Sequence, residues 1–225
     1  MPSQQPWTDI PQHACVIVPV GSFEQHGPHL PLDTDTQIAS YLSKSISTAQ
    51  AEIVIAPAVA IAASGEHSGF PGTISIGTDV LSSVFVEIVR SCDWAQGVIF
   101  VHGHGGNLDA THIASQVLQH EKRNFAHWWP QVDHADAHAG NTETSMMLAI
   151  NPAAVRIDQL SLGNNQPISD LQHELRNHGV KVVSSNGVLG DARRANAELG
   201  ALIMRALVAD LQTFVNTTCA SWQSL

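Results

Sequence analysis

Basic residues are scarce in this chain: ten lysines and arginines stand against twenty aspartates and glutamates, a formal net charge of −10. Nucleic acid and anionic membrane are held by concentrated basic side chains, so neither is expected as a partner. Charge of either sign is short as well, at 13% of residues where about a quarter is usual. So uncharged a surface points to extensive subunit contacts, and a homo-oligomer is expected. Cysteine is limited to Cys15, Cys92 and Cys219. An odd number at wide spacing excludes a disulfide framework or a cysteine zinc knuckle as a sequence reading, and reduced thiols are the expectation. The N-terminal residues lack the basic stretch and apolar run of a signal peptide, and no uninterrupted apolar run reaches membrane-spanning length. A soluble, cytoplasmic protein is expected.

Histidine, by contrast, is abundant, with thirteen residues. Imidazole is costly to bury without partners and is the commonest metal ligand, which directs attention to a metal site. At 225 residues with 44% apolar content, the chain suits one α/β domain spanning residues 1–225.

Cys15 to Val20 (C-V-I-V-P-V) reads as a buried strand, followed by a polar segment and then a helix from Thr36 to about Ser47. Ile53 to Ala58 reads as a second strand, and Thr78 to Cys92 as a helix with Leu81, Phe85, Ile88 and Val89 on one face. Gly97 to Val101 is a third strand, running into a glycine-rich loop and a helix from Leu108 to about Lys122 that Asn107 would cap. Later elements are a strand over Phe125 to Val132, a helix over Glu143 to Ile150 started by Thr142, a strand over Val180 to Ser184 and a closing helix from Asn196 to about Phe214. Alternating strands and helices predict an α/β fold, a three-layer αβα sandwich with a mostly parallel central sheet. Its working site should lie beyond the carboxyl ends of the strands, where the polar clusters fall.

The first cluster runs from Gly21 to Thr36. In an extended segment residues two apart face one way, so Glu24 and His26 converge while Gln25 points away. Asp35 closes the same loop at a helix start, and its two oxygens suit it to bridging two cations. A polar loop with Asp33 or Asp35 as a helix cap is the plainer alternative. The second cluster, His102-Gly103-His104-Gly105-Gly106-Asn107, offers two histidines two apart and backbone N–H groups at a helix start. A phosphate cradle is the rival there, but the loop has no lysine or arginine and fits neither nucleotide motif.

The third cluster, Asp136 to Thr144, places His138 among small residues, as an exposed and mobile acid–base group would be. Thr142 and Glu143 there also fit a helix cap and a first-turn carboxylate. The loop Gly65 to Thr73, with Glu66 and His67, either lines a substrate pocket or only connects a strand to a helix. Trp128-Trp129 suits core or subunit contact as well as substrate stacking. His112, His120, His127 and His134 show no convergent spacing and read as surface or packing residues.

Three motifs in order, Glu24-Gln25-His26-Gly27-Pro28-His29-Leu30-Pro31-Leu32-Asp33-Thr34-Asp35, Gly103-His104-Gly105-Gly106-Asn107 and His138-Ala139-Gly140-Asn141-Thr142-Glu143-Thr144-Ser145, resemble the creatininase (creatinine amidohydrolase) family. The resemblance spans about Val16 to Gly200. It implies a hydrolase of C–N amide bonds working with two divalent ions per subunit, for which this ligand chemistry suits Zn²⁺, Mn²⁺ or Fe²⁺. It further implies that Glu24, Asp35 and His104 hold one ion, that His26 and the bridging Asp35 hold the other, and that His138 is the catalytic histidine. Creatinine-hydrolysing members carry a Glu ligand two residues after the histidine matching His104. That position is Gly106 here, so Glu143 is inferred to complete the second site and creatinine is disfavoured as substrate. Glu66, His67, Gly105, Gly106 and Trp129 are the substrate-side candidates.

Within the family, Ala63 to His67, Gly72 to Thr78 and Gly187 to Asp191 are most similar to the mycofactocin-system peptidases, which trim a C-terminal Val-Tyr dipeptide from a modified precursor peptide. A small peptide is therefore the expected substrate, with a small-molecule amide such as creatinine or a formamide as the alternative. Members of the family assemble as closed rings such as hexamers, which makes a hexamer-like homo-oligomer the expectation.

Overall fold

The computed structural model describes residues 6–47 and 51–222. Four parallel strands form one sheet in the order β2-β1-β3-β4, where β1 is Cys15–Val20, β2 Ile53–Ile55, β3 Gly97–His102 and β4 Phe125–Trp128. Side chains of a strand alternate between faces, and the two central strands obey this cleanly. Cys15, Ile17, Ile99 and Val101 enter one core, while Val16, Val18, Val20, Val98 and Phe100 enter the other. The helices follow the same division. α1 (Thr34–Lys44) supplies Ile38 and Leu42 to the first core, whereas α2 (Thr78–Ser91) and α3 (Leu108–His120) supply Leu81, Phe85, Ala110, Ala114 and Leu118 to the second. α4 (Asn141–Ile150) and α7 (Ala197–Trp222) complete the first layer with Met146, Met147, Leu207 and Leu211. The result is the three-layer αβα sandwich. Among the described residues no helix is long and apolar enough to cross a membrane.

Several boundaries differ from the sequence expectation for local reasons. β2 ends at Ile55, shortly before Pro57, and β4 ends at Trp128, just before Pro130; proline has no N–H to give a ladder. Residues 168–183 hold two helices, α5 (Ile168–His178) and the single turn α6 (Val180–Val183). The strand expected over Val180 to Ser184 is therefore corrected. The V-K-V-V run has strand propensity, but Val182 is 64% exposed, so the segment has no sheet neighbour to bury it. α7 runs to Trp222, well past Phe214. This length carries Cys219 back to the start of β1, where it is joined to Cys15 in a disulfide with Cα atoms 6.6 Å apart. The expectation of reduced thiols is corrected at that pair, which lies 204 residues apart in sequence and has no spacing signature. Cys92 stays free.

β1 and β3 pair in register from Cys15↔Gly97 to Val20↔His102, so the loops leaving both strands start side by side. β1 connects onward to β2 on one flank and β3 lies on the other, which makes this the point where strand order reverses. α4 and α7 hold the far side of the same region. Gly200 of α7 lies so close to α4 that a Cβ there would collide with the carbonyl of Ser145. On helix propensity alone Gly200→Ala should stabilise by about 0.8–1 kcal/mol, but overpacking against a fixed backbone costs about 1–3 kcal/mol. The collision is expected to win: the variant should unfold at lower denaturant, and an unchanged or raised midpoint would refute this close approach.

Candidate metal centre

Asp35 sits in the first turn of α1 and is buried. Its position is set by backbone proximity: a side chain at Gly103 would strike the Asp35 carbonyl, so only glycine lets the two loops meet. Ser22 Oγ donates to Asp35 Oδ2 at 2.8 Å. His26 Nδ1 lies 3.0 Å from the Glu24 main-chain carbonyl, which can only accept, so Nδ1 carries the hydrogen and Nε2 is bare in the neutral ring. That bare Nε2 faces Asp35 Oδ1 at 3.0 Å. His104 repeats the arrangement with its nitrogens exchanged. Nε2 donates to the Ala63 carbonyl at 3.0 Å, leaving Nδ1 to face Asp35 Oδ2 at 3.2 Å. Each oxygen of Asp35 thus looks at an imidazole lone pair, an arrangement that repels unless a positive charge lies between the two atoms.

Glu24 adds to the demand for positive charge. It is fully buried, and among the described residues neither carboxylate oxygen makes a well-aligned hydrogen bond, although His67 Nε2 and His104 Nε2 lie 3.3 and 3.1 Å away. Three sets of donor atoms lie within 4.8 Å of one another: Glu24, Asp35 and His104; His26, Asp35 and Glu143; and Glu24, His26 and His138. Orphaned carboxylate oxygens, bare imidazole nitrogens and backbone carbonyls orienting the far side of each ring fit divalent cations. The charged groups of the cluster also shift one another's protonation. Burial works against a charged His26, yet Asp35 and then Glu143 and Glu24 outweigh it and raise its pKa to about 10. Burial also opposes ionisation of Asp35, but His26 and His104 together hold it well below the ordinary carboxylate range. Glu143 is pushed up to about 7, first by burial, with Asp35 and Glu24 adding to the rise against the opposing pull of His26.

The other candidate residues spread around this cluster. Glu143, its side chain 19% exposed, lies 3.9 Å from His26 Nε2 and accepts from Ala139 N at 2.6 Å. Glu66 and His67 belong to a short 3₁₀ turn. Glu66 Oε1 is 3.5 Å from His104 Nε2 and occupies the space where any side chain at Gly106 would stand. His67 Nε2 is 3.3 Å from Glu24 Oε1. Gly105 and Gly106 form the turn that leads into α3. Asn107, expected as the α3 cap, makes no cap bond; its side chain instead ties Ala63 N to the Gly21 carbonyl, at 3.2 and 3.1 Å. Trp129 is outside the donor cluster, stacked on His102 with ring centres 3.9 Å apart. His102 pairs with His127 at 2.9 Å and belongs to none of the donor sets. His112, His120 and His134 are exposed.

His138 corrects the picture of an exposed, mobile group, being only 7% exposed. Burial, with His26 and His67 nearby, holds its pKa well below the ordinary imidazole value. It also packs against His26 and His67, with ring centres 4.3 and 4.5 Å away. Two residues missed in the sequence shape this region. Asp136 caps α4, accepting from Thr142 N at 2.9 Å and from Asn141 N, so Thr142 lies inside the helix it was expected to cap. Gln25 turns inward, against the expectation that it points away: its side chain reaches His67 and the Gly187 carbonyl, beside the turn that Gly27 opens with a φ of 64°.

Residues 3–215 match the family model described as creatinine amidohydrolase. The chain belongs to the creatininase family and is a hydrolase. It is 48% identical over 200 residues to the mycofactocin precursor peptide peptidase of Mycolicibacterium smegmatis, covering 86% of this chain and 81% of that protein. The protein of the same name from Mycobacterium tuberculosis is 46% identical over 206 residues, covering 87% and 82%. A mutant creatininase complexed with creatine superposes with a TM-score of 0.77 at 20% identity, covering 96% of each chain.

The geometry predicts linkage between cation and stability. Adding Zn²⁺ or Mn²⁺ to the chelator-treated protein should raise its thermal midpoint, with a gain of about 2.7 kcal/mol at a free cation concentration one hundredfold above Kd. Asp35→Ala should remove that gain. Equal stabilisation of this variant would show that the cation binds elsewhere.

Proposed function

We propose that the chain is a divalent-metal-dependent peptidase that removes the C-terminal Val-Tyr dipeptide from a modified mycofactocin precursor peptide by hydrolysing one amide bond. The observation carrying the chemistry is Asp35, whose two oxygens each face a bare imidazole nitrogen, at 3.0 and 3.2 Å. Choice of substrate rests on the name shared by relatives 46–48% identical over most of their length. In this reading Glu24, Asp35 and His104 hold one ion of zinc, manganese or iron, and His26, Asp35 and Glu143 hold the second. Such ions supply Lewis acidity, polarising the scissile carbonyl and drawing the pKa of water toward neutrality.

The chain's own groups do the rest. His138 takes the proton from the attacking water and passes it to the departing nitrogen, which cannot leave as an amide anion. A position shielded from bulk water keeps that proton within the site. Backbone N–H groups of Gly105 and Gly106 stand at a helix start, where they suit a developing oxyanion. Glu66 and His67 line the substrate side, with Trp129, stacked on His102, as the aromatic candidate beside them. The reading is completed as a cytoplasmic, single-domain enzyme that assembles as a hexamer-like homo-oligomer, with which the charge-poor composition is consistent.

The deciding experiment incubates the metal-loaded protein with maturation-stage precursor peptide and, separately, with creatinine, and weighs the products. Loss of the mass of Val-Tyr from the peptide is expected; turnover of creatinine alone would overturn the reading. His138→Ala should keep its metal and lose about 10²-fold or more in kcat, the usual worth of general acid–base help. Glu143→Ala should bind one equivalent of metal less per chain, and an unchanged stoichiometry would remove Glu143 from the ligand set.

A further inference from the structure

Gln25 lies between two ligand candidates and touches two of the cluster's imidazoles. Its side-chain amide has only one admissible orientation. Oε1 accepts from the backbone N–H of Gly27 at 2.9 Å, and Nε2 donates to the backbone carbonyl of Gly187 at 3.1 Å. Both partners have fixed roles, so oxygen and nitrogen cannot be exchanged. One hydrogen on Nε2 then remains, and two ring nitrogens lie within reach: His67 Nδ1 at 2.9 Å and His138 Nε2 at 3.1 Å. The main chain of the same residue decides between them. His138 Nε2 is 2.8 Å from the Gln25 carbonyl oxygen, which can only accept, so that nitrogen carries a hydrogen and cannot receive another. The remaining amide hydrogen therefore goes to His67 Nδ1, which must be bare.

Both rings are then Nε2–H tautomers, reached by opposite means: His138 donates to Gln25 and His67 accepts from it. The consequence falls on one atom. His138 presents its bare Nδ1, and His67 its Nε2–H, to the same oxygen, Glu24 Oε1, at 3.8 and 3.3 Å. Gly187 holds the amide in place. At its φ of 81° a Cβ would collide with Gln25 Oε1, so the residue is glycine for backbone and for space.

We propose that Gln25 is a positioning residue of this site, locking His67 and His138 in the Nε2–H form so that the lone pair of His138 faces the ligand cluster. The inference rests on the reading of His138 as the proton-transfer group, and its test separates the two. Zinc-loaded protein labelled with ¹⁵N-histidine would be studied by NMR, with the His67 and His138 signals assigned from His67→Gln and His138→Gln variants. In the parent protein both rings should show a protonated Nε2 and an unprotonated Nδ1; a protonated Nδ1 on either ring overturns the lock.

Gln25→Met keeps the bulk and the main-chain carbonyl but loses the amide. His67 should then lose its single tautomer while His138, held by the main-chain carbonyl, keeps its own, and metal content should be unchanged. Gly187→Ala, which displaces the amide from the other side, should reproduce the change at His67. A His67 spectrum unmoved in both variants overturns the positioning role. The stated tautomers in a parent protein that cleaves no peptide would support the lock and refute the proposed function.

Discussion

A buried carboxylate whose two oxygens each meet an imidazole lone pair is the constraint on which this structure turns. Asp35 is desolvated, accepts from Ser22, and faces His26 and His104 at distances that repulsion would forbid without positive charge between them. Glu24 stands alongside with no well-aligned hydrogen bond among the described residues. Burying unpaired charge costs several kcal/mol per ion even after relaxation, a large share of the 5–15 kcal/mol by which a domain is usually stable. The site therefore works against the fold unless cations or protons neutralise it. The opposite shifts of His26, raised, and Asp35, lowered, reflect how strongly the two groups feel each other's charge.

The fold meets this cost by bringing the repelling groups together from elements with no freedom to separate. β1 and β3 are paired along their length, so the segments carrying Glu24 and His104 leave from adjacent strand ends. α1 is pressed onto the second of these loops through Gly103, which fixes Asp35 between them. α4 delivers Glu143 from the far side, held by its cap at Asp136 and by close packing of α7 at Gly200. Backbone carbonyls at Glu24 and Ala63 then settle which nitrogen of each ring faces inward. These main-chain acceptors cannot rotate away as a side chain can.

The layered architecture was legible because β1 and β3 are short, continuously apolar runs, buried at every position, and apolar residues recur at helical spacing along α1, α2 and α3. These are signals of local period. The residues of the donor cluster were legible for another reason: carboxylate and imidazole side chains stand at strand ends, next to glycines, where packing gives them no other use. What remained hidden depends on distance. Cys15 and Cys219 meet only because α7 continues to Trp222, and the V-K-V-V run lacks the sheet edge that its propensity suits. Gln25 was lost because its partners, His67, His138 and Gly187, lie far along the chain and local alternation carries no sign of them. The buried state of His138 was hidden likewise, since its small neighbours in sequence are not its neighbours in space.

The turn at Gly106 shows how a missing side chain can be structural information. A Cβ at that position would run into Glu66 Oε1 and His104 Nε2 together. The carboxylate of Glu66 reaches this space from a loop some forty residues earlier, and it arrives at the outer nitrogen of a ring whose inner nitrogen faces Asp35. Glycine at 106 and glutamate at 66 are therefore one feature: the absence of one side chain is the room taken by the other. Negative charge beside the outer nitrogen of His104 thus comes from the loop carrying Glu66 and not from the turn itself. It is tied to the segment that also carries His67 and, through Gln25, His138.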